Sequence, residues 1–246
     1  MKKAFTLAEI LLTLGIVGIV SAITIPTLIQ NYKKKVTVES LKKEYSSLLQ
    51  TFKMYQAYNN VDFDEIDTSL PDETFMQTYI LPYMETIGVC ENSTKCYKKY
   101  PLGLNRKSPI VIYNKLYIKK NGAFIGISQN PPTGKVFFVD INGSKGPNYA
   151  GRDIFYFFLV NKKTIDYNYN YISCGNNVKK LNSGLYAGGY SQCYILFTTL
   201  TRDKILGKDG HIDRACSKQN GAAAAGDGCA ALIMVDGWKI EKDYPW

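Results

Sequence analysis

The residues able to do chemistry in this chain are few and scattered. There is a single histidine, His211. That excludes a multi-histidine metal centre within one chain, and leaves Ser-His-Asp or Cys-His catalysis only if His211 is the base. It lies in Lys208-Asp209-Gly210-His211-Ile212-Asp213-Arg214, a polar turn where a lone histidine reads as a surface residue rather than a catalyst. No phosphate-binding glycine loop, no Gly-x-Ser-x-Gly and no framed pair of carboxylates occurs. The chain therefore reads as a non-enzyme, and more readily as an enzyme's substrate.

Oxygen donors gather in one loop, Asp140-Ile141-Asn142-Gly143-Ser144-Lys145-Gly146-Pro147-Asn148-Tyr149-Ala150-Gly151-Arg152-Asp153. Asp140, Asn142 and Asp153 can offer oxygen ligands to Ca²⁺, although no glutamate closes the loop as in an EF-hand. The plainer reading is a rigid connection built on Asx-turns and caps. No other cofactor is expected. Asp62, Asp64, Glu65 and Asp67 form an acidic patch that reads as caps and loop rather than catalytic carboxylates.

The six cysteines are Cys90, Cys96, Cys174, Cys193, Cys216 and Cys229. No Cys-x-x-Cys occurs, which disfavours zinc-ribbon and thioredoxin-like sites. An even number suits disulfides in an oxidising compartment; in the cytoplasm these would be buried thiols. Six cysteines allow about 15 pairings. Local order suggests Cys90–Cys96, Cys174–Cys193 and Cys216–Cys229, bonds that contribute about 2–4 kcal/mol each.

Glu9 is the one charge in an apolar run from Phe5 to about Leu28, which also contains Pro26. Twenty-odd helical residues at about 1.5 Å each can span a bilayer core of about 30 Å. Three readings compete: a secretory signal cut after Val20-Ser21-Ala22, a plain single-span anchor, and a segment in which Glu9 has a purpose. A carboxylate inside a membrane costs roughly 2.5–3.5 kcal/mol on insertion scales, so it calls for a positive partner. No Lys or Arg lies one turn away. A free amine made by cutting just before Phe5 would supply one.

The segment Lys3-Ala4-Phe5-Thr6-Leu7-Ala8-Glu9-Ile10-Leu11-Leu12, followed by Pro26, resembles the class III signal of type IV pilins and type II secretion pseudopilins. That family has a short basic leader, a Phe at the cut, a Glu four residues after it and a Pro twenty-one residues after it; Phe5, Glu9 and Pro26 match these spacings. Ala4 departs from the family's usual Gly. The resemblance covers about residues 1–35. It implies that a prepilin peptidase cuts Ala4–Phe5 and methylates the new amine. It implies that Glu9 pairs with the Phe5 amine of a neighbouring subunit. It also implies an inner-membrane assembly platform with its ATPase, and a single-pass chain in the cytoplasmic membrane whose head lies outside the cytoplasm before it joins a pilus or pseudopilus. Pilins often close their C-terminal region with a disulfide.

The elements that must position these residues follow from pattern. Beyond Pro26, which favours a kink, Leu41, Tyr45, Leu48, Phe52 and Tyr55 recur at helical spacing, with Lys42, Lys43, Glu44, Ser46, Ser47 and Gln50 on the other faces. An unbroken helix from Phe5 to about Tyr58 would be roughly 80 Å long. Gly15 and Gly18 suit close helix approach, and Lys33 to Lys35 a solvated or headgroup-facing patch. Residues 60–109 read as irregular with short helices, one of them over about Asp72 to Thr86. Strand patterns follow at Ile110 to Lys119, Ala123 to Ser128 after the Asn121-Gly122 hairpin signal, Lys135 to Ile141 and Ile154 to Val160. The tail from about 161 is loop-rich, with a polar-aromatic stretch Asp166 to Tyr171, an alanine run Ala222 to Ala225, and a last helix over Cys229 to Val235.

The chain so divides into a leader (1–4), a transmembrane and assembly helix (5–28), an amphipathic stem (29–60) and one globular head (61–246). The fold class is α+β: a lollipop with a long N-terminal helix packed on an antiparallel sheet, then a loop-rich C-terminal region. With 246 residues, 46% hydrophobic and 21% charged, the chain is neither disordered nor collagen-like. The function that fits is a structural subunit polymerised through its N-terminal helix for secretion or pilus assembly. Two others compete. One is a minor pilin binding DNA or an acidic surface, since the net charge is +9. That charge lies in no clear stripe. The other is a secreted or anchored protein with no assembly role.

Overall fold

The computed structural model describes residues 6–110, 115–129, 134–163, 182–188, 201–208, 215–219 and 226–246. Helix α1 runs from Leu7 to Asn59, 53 residues without interruption. It continues through Pro26, which withholds the hydrogen bond that the Ala22 carbonyl would otherwise accept. It ends on Asn60, held in the left-handed region at φ 55°. Its buried residues are Thr37, Val38, Leu41, Glu44, Leu48, Thr51 and Phe52, a stripe of three- and four-residue steps confined to the second half.

That stripe lies on a six-stranded antiparallel meander of order β1 to β6. The strands are β1 (Thr86–Cys90), β2 (Leu116–Lys119), β3 (Phe124–Gln129), β4 (Lys135–Asp140), β5 (Ile154–Val160) and β6 (Gly184–Ala187). Alternation sorts the central strands between two cores. Phe137, Phe155, Phe157 and Leu159 face α1, while Phe138, Tyr156, Phe158 and Val160 join Tyr97, Ile110 and Leu116 on the opposite face. Every residue of β5 is buried, which is why Ile154 to Val160 reads as a continuous apolar run. Tyr45 meets Phe157 with ring centroids 5.4 Å apart, and Phe52 meets Phe137 at 5.8 Å. Buried aromatic contacts of this kind fix the angle at which the stem crosses the sheet.

Three sequence expectations need correction. The helix expected over 72–86 is shorter: α2 (Asp72–Phe75) widens into a π-type turn over Met76–Ile80 and stops. Pro82 has no N–H to continue it, and the Leu81 N–H reaches back five residues to the Met76 carbonyl. Four strands become six. Strand β1 escaped because it is an edge strand with a bulge between Thr86 and Gly88, and Ile87 and Val89 point to solvent. Strand β6 is four residues in the loop-rich tail, pairing β5 from Gly184 to Ala187. Finally, Glu44 is not on a polar face. It is 3% exposed and accepts from Lys119 Nζ at 2.5 Å and from Asn121 Nδ2 at 2.6 Å.

The remaining helices are short: α3 (Ser93–Cys96), α4 (Arg202–Ile205) and α5 (Cys229–Val235). Helix α5 is buried with the α1-side core. Cys90–Cys96 ties β1 to α3, and Cys216–Cys229 ties the chain before the alanine run to the start of α5. Cys174 and Cys193 lie outside the described residues, as do residues 111–114 of the first expected strand and the stretch 166–171.

Candidate functional site

Among the described residues the first half of α1 has no covering partner. Residues 6–36 are exposed apart from Ser21 and Lys34, which are half-buried. Leu7 is 77% exposed, Leu14 63% and Ile23 70%. A helix apolar on every side belongs where every side is covered, in a bilayer or among other helices. This one is long and apolar enough to cross a membrane.

Glu9 has a local role that the sequence reading missed. Its carboxylate accepts from the Thr6 N–H at 2.8 Å and the Thr6 hydroxyl at 2.9 Å, while its own N–H donates to Thr6 Oγ1 at 3.3 Å. This is a capping box. The Thr6-x-x-Glu9 spacing is its signature and could have been recognised. The carboxylate therefore already holds hydrogen bonds, but among the described residues it meets no positive charge. Ala4 and Phe5 lie outside the described residues. Pro26 sits in the exposed half.

The donor-rich loop between β4 and β5 lies beside the stem. Asp140 and Asp153 are 0% and 2% exposed. Asp140 accepts from the Tyr97 hydroxyl at 3.0 Å and from the Asn142 N–H at 3.1 Å. Asp153 accepts from the Asn148 and Tyr149 N–H groups, both at 2.7 Å, and from Asn142 Nδ2 at 3.4 Å. The expected trio of Asp140, Asn142 and Asp153 thus comes together, with Asn142 bridging the two carboxylates. Burial pushes both carboxyls above the usual range, and for Asp140 the nearby Asp153 adds to the push. Burial, then Asp140, likewise raises the Tyr97 phenol. Glycine is required at two points in this loop. Gly143 (φ +64°) would put a Cβ 2.3 Å from the Gly122 carbonyl oxygen, and Gly151 (φ +77°) would put one 2.6 Å from Cys229 Sγ. The loop is thereby locked against both the β2–β3 hairpin and the Cys216–Cys229 bond. Among the described residues no three Asp, Glu, His or Cys side chains converge as a metal cluster.

A cleft of about 560 Å³ opens between this loop and α1, lined by Tyr32, Lys33, Thr37, Asn142, Arg152 and Asp153 among others. Arg152 stacks over the Trp246 ring at 4.7 Å. The acidic patch is structural: Asp62 and Glu65 form a capping box, Asp64 accepts from the Lys162 N–H and the Ser183 hydroxyl, and Asp67 accepts from Ser69. His211 lies outside the described residues.

The fold and these surfaces define an α+β protein whose head is built on the second half of a helix, the first half being apolar and uncovered. The chain matches a family of unknown function, DUF6613, over residues 27–246, and it belongs to that family. No curated protein and no solved structure matches it. The family match begins one residue after Pro26, so it spans the stem and head.

Proposed function

We propose that this chain is a pilin-like structural subunit, a type II secretion pseudopilin or a type IV pilin. Prepilin peptidase processes it, and it polymerises through its N-terminal helix. The observation that carries the reading is the uncovered apolar run of α1 from Leu7 to Leu28, with Glu9 as its one charge, continuous with a stem anchored in the head. In the membrane that run is covered by lipid; in a filament it is covered by the same run of neighbouring subunits. Lys2 and Lys3 hold the leader on the cytoplasmic side, the cut falls between Ala4 and Phe5, and the head lies beyond the membrane. That compartment suits the disulfides. The methylated Phe5 amine of one subunit meets the Glu9 carboxylate of the next and exchanges with the Thr6 cap. Such a charge-assisted bond in a water-poor filament axis is stronger than the neutral contacts it replaces.

The test is the mature N-terminus. Full-length chain co-expressed with a prepilin peptidase is isolated from membranes and read by mass spectrometry. A methylated Phe5 is expected. Ile23 at the N-terminus would instead mean ordinary secretion, and an intact Met1 beside a peptidase active on another substrate would mean a plain anchor. Glu9→Ala is expected to abolish filament formation while the head keeps its disulfides; wild-type filament yield from that variant would reject the pairing.

A further inference from the structure

The two tryptophans of the chain, Trp238 and Trp246, stand at one end of the head and flank different faces of α1. Trp246 lines the cleft that Tyr32, Lys33 and Val36 close from the stem, and Trp238 lines a second groove with Asn31, Lys34 and Lys35. This is the end nearest the apolar run. As a helix the run from Leu7 to Leu28 is about 33 Å long, enough for a hydrocarbon core of about 30 Å. Tyr32 and Lys33 follow about 6–8 Å further on, and a headgroup layer is about 5–8 Å thick. With that run in the bilayer, the cleft opens at the level of the lipid phosphates. Tryptophan and tyrosine gather at that level in membrane proteins.

The cleft is also short of anions. Arg152 Nε is buried without a hydrogen-bond partner, and among the described residues its guanidinium makes no ion pair. A buried donor left unpaired forfeits its hydration for nothing. The contact of Arg152 with the Trp246 ring, at 4.7 Å, supplies no acceptor oxygen. Burial, then the neighbouring Arg106, holds the Arg152 guanidinium below its ordinary pKa. Lys218, whose Nζ donates to the Trp246 main-chain oxygen at 2.5 Å, is lowered by burial and then by the same two arginines. Three cations thus crowd one another, and Lys33 adds a fourth from the stem. Asp153 is the one carboxylate side chain among the described lining residues; it is 2% exposed and accepts from the Asn148 and Tyr149 N–H groups.

We propose that this cleft takes the phosphodiester of an anionic phospholipid. The proposal rests on the reading that the apolar run of α1 spans a membrane. A phosphate oxygen gives Arg152 the acceptor that it lacks, and a planar guanidinium can hold two such oxygens at once. Lys33 balances the same charge from the stem, as basic pockets beside membrane helices do for lipid headgroups. Val36 and Ile141 give the glycerol and first acyl carbons an apolar wall. A volume of about 560 Å³ is of the size that takes a headgroup. A lipid seated there fixes the height of the head over the bilayer.

The experiment reconstitutes the full chain in phosphatidylcholine liposomes, carrying Trp238→Phe so that Trp246 is the only tryptophan. Phosphatidylglycerol or phosphatidylcholine, each brominated on its acyl chains near the headgroup, is then mixed in stepwise, and quenching of Trp246 is followed. Half-maximal quenching is expected at a mole fraction of phosphatidylglycerol at least about fivefold below that of phosphatidylcholine, the preference that one surface cation confers. Lys33→Gln and Arg152→Gln should each raise the phosphatidylglycerol value about fivefold. Lys33 is exposed, so its variant leaves the packing of the head alone. Lys35→Gln removes an equal charge at the same height beside the other groove and should change nothing. Millimolar inorganic phosphate in the buffer should leave the preference in place. Equal quenching by the two lipids, from a chain that stays with the liposomes through an alkaline wash, would overturn the proposal. So would equal effects of Lys33→Gln and Lys35→Gln, which mean diffuse attraction. A preference abolished by inorganic phosphate would overturn it too, in favour of a soluble anion. A chain washed off the liposomes would reject the membrane span itself, and this proposal with it.

Discussion

From Leu7 to Val36 the first helix leaves its apolar side chains in the open, with Leu14 63% exposed and Leu28 70%; from Thr37 to Phe52 the same helix buries Leu41, Leu48 and Phe52 to 1% or less. Composition does not make this difference, because the exposed half is the more apolar one. Periodicity does. The second half concentrates its large side chains in one stripe and leaves polar residues on the rest, so one sheet face can cover it. The first half spreads Leu11, Leu12, Leu14, Ile16, Val17, Ile19 and Val20 around the axis, and no single face can cover that. A helix can thus be fixed to a domain over half its length and left for a different environment over the other half.

The largest expected effect comes from the charge buried under the stem. Glu44→Ala removes the acceptor of Lys119 Nζ and Asn121 Nδ2, leaving Lys119, itself 7% exposed, with Ser47 Oγ at 2.9 Å. Breaking a buried ion pair from one side costs about 3–5 kcal/mol. Urea unfolding of the full chain in micelles should show a loss of that size. A loss below about 1 kcal/mol, the range of exposed pairs, would mean that the stem is not clamped there.

Leucine truncation compares the two halves directly. Leu48→Ala should cost about 2–5 kcal/mol of head stability, because Leu48 is 1% exposed in the core against the sheet. Leu14→Ala, on a residue 63% exposed, should stay within about 0.5 kcal/mol. Head unfolding followed by near-ultraviolet circular dichroism separates these outcomes. Equal losses would mean that the exposed half folds back on the head in solution.

How much of this was legible follows from the same physics. The Ile154 to Val160 strand and the Cys229 to Val235 helix stand at their expected bounds, because a continuous apolar run and a compact alanine-rich turn admit few alternatives. The stem stripe was equally plain. Glu44 was misplaced by its charge, although its spacing from Leu41 and Leu48 sets it on the buried face; lysine 119, far along the chain, is what makes that burial tolerable. Strands β1 and β6 were hidden because an edge strand turns apolar residues outward and a four-residue strand offers too short a pattern. In the β4–β5 loop Asp140, Asn142 and Asp153 were recognisable as donors. Asn148 passed as a turn residue, because only packing shows that its side-chain oxygen is buried and, among the described residues, unpaired.

The smallest expected effect concerns what holds the tail against the stem. Trp238 rests on Tyr45 at 5.7 Å and beneath the Lys42 ammonium at 5.9 Å, and the segment carrying it is fixed by Arg202. That guanidinium donates to Asp236 at 2.6 Å and to Asp243 at 2.5 Å. The Arg202 fork, mainly through its hydrogen bonds, holds the Asp243 carboxyl down to about 2 from an ordinary 3.8. A carboxyl lowered on folding stabilises the folded state above its unfolded value, and that stabilisation is lost as pH falls through the folded one. Asp243→Asn should therefore lower the unfolding temperature slightly and uniformly at neutral pH. The gap between variant and wild type should close as pH falls from about 3.8 to about 2. Because Asp243 is an exposed partner, the gap should also shrink in high salt. A gap that persists at pH 2 would mean that the contact is steric rather than ionic. The tail would then hold the buried half of α1 by packing alone, through Trp238 and Tyr45.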